Sequence, residues 1–103
     1  MGIKISKSAQ KLIQELELTD VTFELIELDI RGAMGIIKEI RPNYEAPEDA
    51  SGYKYFRKGD FSVFIDREII INGPLVLKTS GYLNKKLALS GAKTPFFNFE
   101  RIL

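Results

Sequence analysis

Few of the 103 residues could do chemistry, because none is a cysteine or a histidine. That removes the thiolate nucleophile, the disulfide and the imidazole proton shuttle together. The remaining sulfur is thioether, in Met1 and Met34, so a bound metal would need oxygen ligands and would be hard, like magnesium or calcium. Glu24, Glu27, Asp29 and Asp66 are the carboxylates best placed to hold one. Glu27 and Asp29 share strand parity and could bind a divalent cation or act as an acid–base pair. A solvated strand face explains the same residues more simply. No partner completes a catalytic team, and Thr79, Ser80-Gly81 and Ser90-Gly91 fit no nucleophile elbow.

Three other features bear on binding. Gly32-Ala33-Met34-Gly35 is a glycine-bracketed loop whose backbone N–H groups could meet an anion or a partner. Its simpler reading is a tight connection between core strands, with Met34 filling a gap. Tyr53, Tyr55 and Phe56 among Lys54, Arg57 and Lys58 imitate a single-strand nucleic-acid binder. Phe96, Phe97 and Phe99 either close the core or pack on a second subunit, where exposed aromatic surface would be costly.

The elements that must position these residues follow from periodicity. Ile3 and Ile5 alternate around Lys4, and Ser6 can cap a helix. Ala9, Leu12, Ile13 and Leu16 then repeat at helical spacing, and Leu18-Thr19-Asp20 turns the chain. Val21, Phe23 and Leu25 alternate as a strand. The phase changes at Leu25-Ile26, which implies a bulge or a strand buried on both faces. A strand over 36–40 follows the glycine loop, and Pro42 to Gly52 reads as the most mobile loop. Further strands are expected at 53–56, 61–65, 69–71, 75–77 and 87–89. Asn72-Gly73-Pro74 and Ser90-Gly91 act as stops. One amphipathic helix and six or so short strands predict an α+β fold, compact and mostly antiparallel, in a single domain over 1–103.

Composition supports a folded soluble protein: 45% of residues are hydrophobic and 28% charged. Fifteen Lys+Arg against fourteen Asp+Glu leave a net charge of +1, so nucleic acid is not favoured as a partner. No stretch is apolar for long enough to span a bilayer, and the start lacks a secretion signal. A cytoplasmic protein with no membrane partner is expected.

The order of elements resembles the HesB-like family, which includes the A-type iron–sulfur carriers and a small group with a paired Cys-Cys or Cys-Sec motif. Residues Ile3-Lys4-Ile5-Ser6-Lys7-Ser8-Ala9 are similar to that family's opening strand and helix cap. Val21 to Leu28, with Gly32-Ala33-Met34-Gly35 behind it, resembles the second strand and the Gly-Cys-x-Gly loop. Phe61 to Asp66 and Leu83 to Gly91 resemble later strands. In the carriers, a loop cysteine and a C-terminal Cys-Gly-Cys bind iron or a cluster, because soft charged sulfur stabilises iron. Here Ala33 and Met34 occupy the loop, and the tail positions fall around Phe97-Asn98-Phe99.

The resemblance therefore implies the fold without its best-known activity. The expected protein is a non-catalytic binding or protein-interaction module with no cofactor. A link to iron–sulfur biology and a homodimer are implied by the resemblance. Gly32, Ala33, Met34, Gly35, Phe97 and Phe99 are the binding candidates, with no catalytic or metal residues assigned. The alternative is a small ligand-binding protein or enzyme using carboxylates and a hard divalent cation.

Overall fold

A computed structural model describes residues 2–28 and 37–95. Among them are one α-helix, seven strands and a short 3-10 turn at Ala50–Gly52. Strand β1 (Ile3–Ile5) leads into helix α1 (Lys7–Glu15), followed by β2 (Asp20–Leu28) and β3 (Ile37–Asn43). Then come β4 (Tyr53–Lys58), β5 (Phe61–Asp66), β6 (Ile70–Ser80) and β7 (Lys86–Lys93). The α+β class holds, but both sheets are mixed. Sheet A has the order β1-β6-β7 and sheet B the order β3-β2-β5-β4. The β1–β6 and β2–β5 pairings are parallel, and the remaining three are antiparallel.

The helix starts as the sequence suggests. Ser6 has extended backbone, and its Oγ accepts the Ala9 N–H at 3.2 Å. Ala9 and Leu12 are buried and Ile13 is partly so. Leu16, expected on that buried face, instead sits at the C-cap and is 49% exposed. The helix ends earlier than Leu18-Thr19-Asp20 because a Schellman turn closes it. Leu18 N–H reaches Ile13 O at 2.9 Å and Glu17 N–H reaches Gln14 O at 3.2 Å. Glu17 takes the left-handed position, at φ 52°, that glycine would fill without steric cost.

The phase change in β2 is not a bulge. Its register with β3 runs unbroken from Thr22↔Asn43 to Leu28↔Ile37. Val21, Thr22 and Phe23 are all buried, so the start of the strand is covered on both faces. On one side Val21 and Phe23 join Val63 and Ile65 of β5 and Leu75 and Leu77 of β6 in the core. Each such aliphatic or aromatic side chain contributes about 1.5–3 kcal/mol on leaving water. On the other side Thr22 donates its hydroxyl to Glu45 O at 2.6 Å. The 44–52 connection therefore crosses that face instead of projecting as a free loop.

Several expected stops lie inside strands. β3 runs through Pro42, tolerated because β3 is a sheet edge and needs no second ladder. β4 extends through Arg57-Lys58, leaving Gly59-Asp60 as the turn. The breaks expected at Asn72-Gly73-Pro74 and at Ser90-Gly91 are both absorbed into long strands. They are one feature: the β6–β7 register shifts between Ile71 and Val76, where Pro74 has no N–H to give. Gly91 faces that irregularity at φ +85°, and a Cβ there would run into the Pro74 carbonyl.

Two outcomes follow for stability. Gly91→Ala meets both a backbone clash and a positive φ, and should lower the unfolding free energy by about 2–4 kcal/mol in urea titration. Glu17→Gly should raise it by about 0.5–1 kcal/mol, read as a higher thermal midpoint, because it relieves the left-handed strain.

Candidate functional site

The six binding candidates, Gly32, Ala33, Met34, Gly35, Phe97 and Phe99, lie outside the described residues. The strands that lead into their two segments are described. The connection over 29–36 joins the paired residues Leu28 and Ile37, so it closes the β2–β3 hairpin. One residue inside that hairpin, Lys38 ion-pairs with Glu68 at 4.0 Å. Glu68 belongs to the β5–β6 turn, where Ile69 N–H returns to Asp66 O at 3.0 Å. Immediately after this turn Ile70 pairs with Lys93, the last residue of β7. The glycine-loop hairpin and the outgoing C-terminal chain therefore flank one turn, 66–70. The described ends of β3 and β7 thus lie at the same end of the fold.

The acidic group is only partly assembled there. Strand alternation separates Glu27 from Glu24, because the two have opposite parity on β2. Glu27 stands opposite Lys38 in the ladder and is exposed. Asp29 lies outside the described residues. Glu24 and Asp66 do come together on the outer face of sheet B, with Tyr53 opposite Asp66 and Arg41 opposite Glu24. Burial first, then the negative charges of Glu24 and Asp66, hold the Tyr53 hydroxyl above its ordinary range. The phenol is thereby kept neutral near the two carboxylates. Asp66 is also engaged through Oδ1, which accepts the Glu68 N–H at 2.8 Å. Among the described residues no three acidic, histidine or cysteine side chains group closely enough to hold a metal ion. Of the described carboxylate candidates, Glu24 and Asp66 thus share one face of sheet B and Glu27 takes the other, as solvated strand faces would have it.

The surrounding scaffold is tied by side chains that the alternation pattern does not reveal. Thr22, in a position expected to face outward, is 0% exposed beneath Glu45. Tyr44 bridges the sheets: its hydroxyl accepts the Leu87 N–H of β7 at 3.1 Å. Arg67 fixes the far end of the 44–52 connection, donating Nε to Ser51 O at 2.8 Å and its backbone N–H to Gly52 O at 3.1 Å. Asp49 caps the 3-10 turn, and the bonds from Ser51 hold its carboxyl below the usual range. The segment expected to be most mobile is therefore pinned at both ends.

Two open grooves lie where the sheets meet. One, of about 590 Å³, runs between β1 and β6 with Lys58 of β4 at its rim. The other, about 490 Å³, is lined by β3 residues Glu39 to Pro42 together with Ser80, Lys86 and Leu87. Neither contains a nucleophile activated by a neighbouring base.

These two mixed sheets with one helix across them form a HesB-like fold. The crystal structure of Escherichia coli SufA, involved in biosynthesis of iron–sulfur clusters, matches 96% of this chain and 90% of that chain, with a TM-score of 0.51. At 14% identity the likeness is one of fold. The CC/Se motif containing family matches residues 1–92, and the chain belongs to that family. No curated protein matches it. It is a member that carries no cysteine at any position.

The Tyr53 environment makes a titration prediction. Its folded pKa lies above the ordinary 10.0, so the favourable contribution is complete below pH 10. It is lost as pH rises through the folded value, because the unfolded chain ionises first. Urea midpoints should fall on the alkaline side of pH 10, and fall less steeply in Tyr53→Phe.

Proposed function

We propose that this protein is a non-catalytic protein-interaction module that uses the family scaffold without handling a metal itself. The observation that carries this reading is the complete absence of thiolate and imidazole from a chain of this family. An iron–sulfur cluster needs soft anionic ligands, and a lone thioether at Met34 cannot supply them. The residues present do not fit that group.

The contact surface in this reading is formed by the 29–36 connection, with Gly32, Ala33, Met34 and Gly35, and by the C-terminal segment with Phe97 and Phe99. It is supported by the described ends of β3 and β7, which both lie beside the 66–70 turn. The partner is a protein of iron–sulfur cluster assembly, as the fold likeness to SufA suggests, and self-association through the phenylalanines is the simplest version of the contact. The setting is the cytoplasm.

Because the chain has no native cysteine, introduced ones report without background. The pair Ala33→Cys with Phe97→Cys should be joined by a short bis-maleimide in the folded protein and not in urea. Failure to join in the folded state would place the two segments apart and remove the shared surface. Anaerobic incubation of the wild-type chain with ferrous iron and sulfide, followed by desalting, should leave no bound iron. Stoichiometric retention would overturn the non-carrier reading.

A further inference from the structure

The opposite end of the molecule carries a second surface. The β6–β7 ladder has Ile70↔Lys93 at one end and Ser80↔Lys86 at the other. Beyond the latter pair the chain turns through Gly81 to Lys85, with Gly81 at φ +100°. At this tip Tyr82 is 93% exposed and Leu83 86%. Two adjacent apolar side chains projected this far into water need an explanation.

The balanced total charge hides a local imbalance. From Ile69 to Phe99 the sequence contains four lysines and no aspartate or glutamate. Register fixes where they point. Leu75 and Leu77 of β6 are buried, so the alternate residues face outward. Lys4 is paired to Val76, Lys78 to Ala88 and Ser80 to Lys86. Lys4, Lys78 and Lys86 therefore share the outer face of sheet A, all exposed, among small or hydroxylated neighbours. The outer face of sheet B, by contrast, mixes Glu24, Glu39 and Asp66 with Arg41 and Arg57.

We propose that this hairpin end is a peripheral docking surface for an anionic lipid membrane. Tyr82 and Leu83 enter the interface, and Lys4, Lys78 and Lys86 face the headgroups. A convex tip needs no shaped pocket in a bilayer, and tyrosine suits the boundary because its ring is apolar and its hydroxyl wet. Lysines on both stems add attraction to anionic lipid and can snorkel while the tip is inserted. A second copy is a poor occupant. Tip-to-tip contact would oppose like charges, and the 590 Å³ groove carries Lys4 and Lys58 on its own wall. Such docking departs from the expectation of no membrane partner, which rests on the lack of a spanning stretch; among the described residues no helix is long and apolar enough to cross. Docking from one side needs none. The inference does not rest on the reading of the other end.

The test is sedimentation of the full chain with vesicles of phosphatidylcholine alone and of phosphatidylcholine mixed with phosphatidylserine. The chain should bind the mixed vesicles, bind the neutral ones far less, and release as salt is raised. Tyr82→Ser with Leu83→Ser should abolish binding without changing the circular dichroism, because neither side chain packs in the fold. Lys78→Gln and Lys86→Gln should each weaken it about fivefold. No binding to either vesicle would overturn the proposal, as would binding that the tip variant leaves unchanged. Binding to soluble polyglutamate but not to vesicles would also overturn it, and would assign the surface to an acidic protein.

Discussion

The parallel pairing of β1 with β6 is the constraint on which the rest of the architecture depends. Ile3 lies against Leu75 and Ile5 against Leu77, so the first strand is held by one near the far end of the chain. Ser6 N–H continues the ladder by reaching Leu77 O at 2.9 Å, while the Ser6 side chain caps the helix. One residue thus ends a strand and starts α1. That fixes the helix over sheet A, and its left-handed exit at Glu17 then delivers the chain into β2 of the other sheet. A parallel contact this distant in sequence closes a long loop, and its pairing must offset that entropy.

What sequence made legible was local. Alternation located β5 to within one residue, and helical spacing with Ser6 located the start of α1. Pairing was not legible, and most differences come from it. Gly91 and Pro74 look like two independent stops, yet each accommodates the other across a ladder that no local window contains. Thr22 looks like the polar partner in an alternating strand, and only the crossing of the 44–52 connection buries it. Whether Glu24, Glu27 and Asp66 group was likewise not legible from the sequence. Parity on β2 settles which face Glu27 takes, but the neighbour of Glu24 is set by the β2–β5 register. Of the candidate surface, the sequence names the segments, and the structure describes only the strand ends that lead into them.

The scaffold needs no sulfur because its cohesion comes from apolar packing. Val21, Phe23, Val63, Ile65 and Leu77 are each at most 1% exposed and bring the two sheets together by apolar contact. Cohesion therefore sits in the interior, between the sheets. Charge follows the same division of labour. The acids concentrate on sheet B, and the β6–β7 hairpin is left uniformly basic.

The bond between Tyr44 and Leu87 has a consequence for how the molecule behaves in a crowded cell. β7 is an edge strand, and its free N–H groups invite another chain to add on. A phenol already occupying one of those donors removes a rung that an incoming strand would require. On the opposite edge Pro42 offers no donor at all. Side chains from a single stretch of chain thus guard both flanks of one seam against runaway polymerisation.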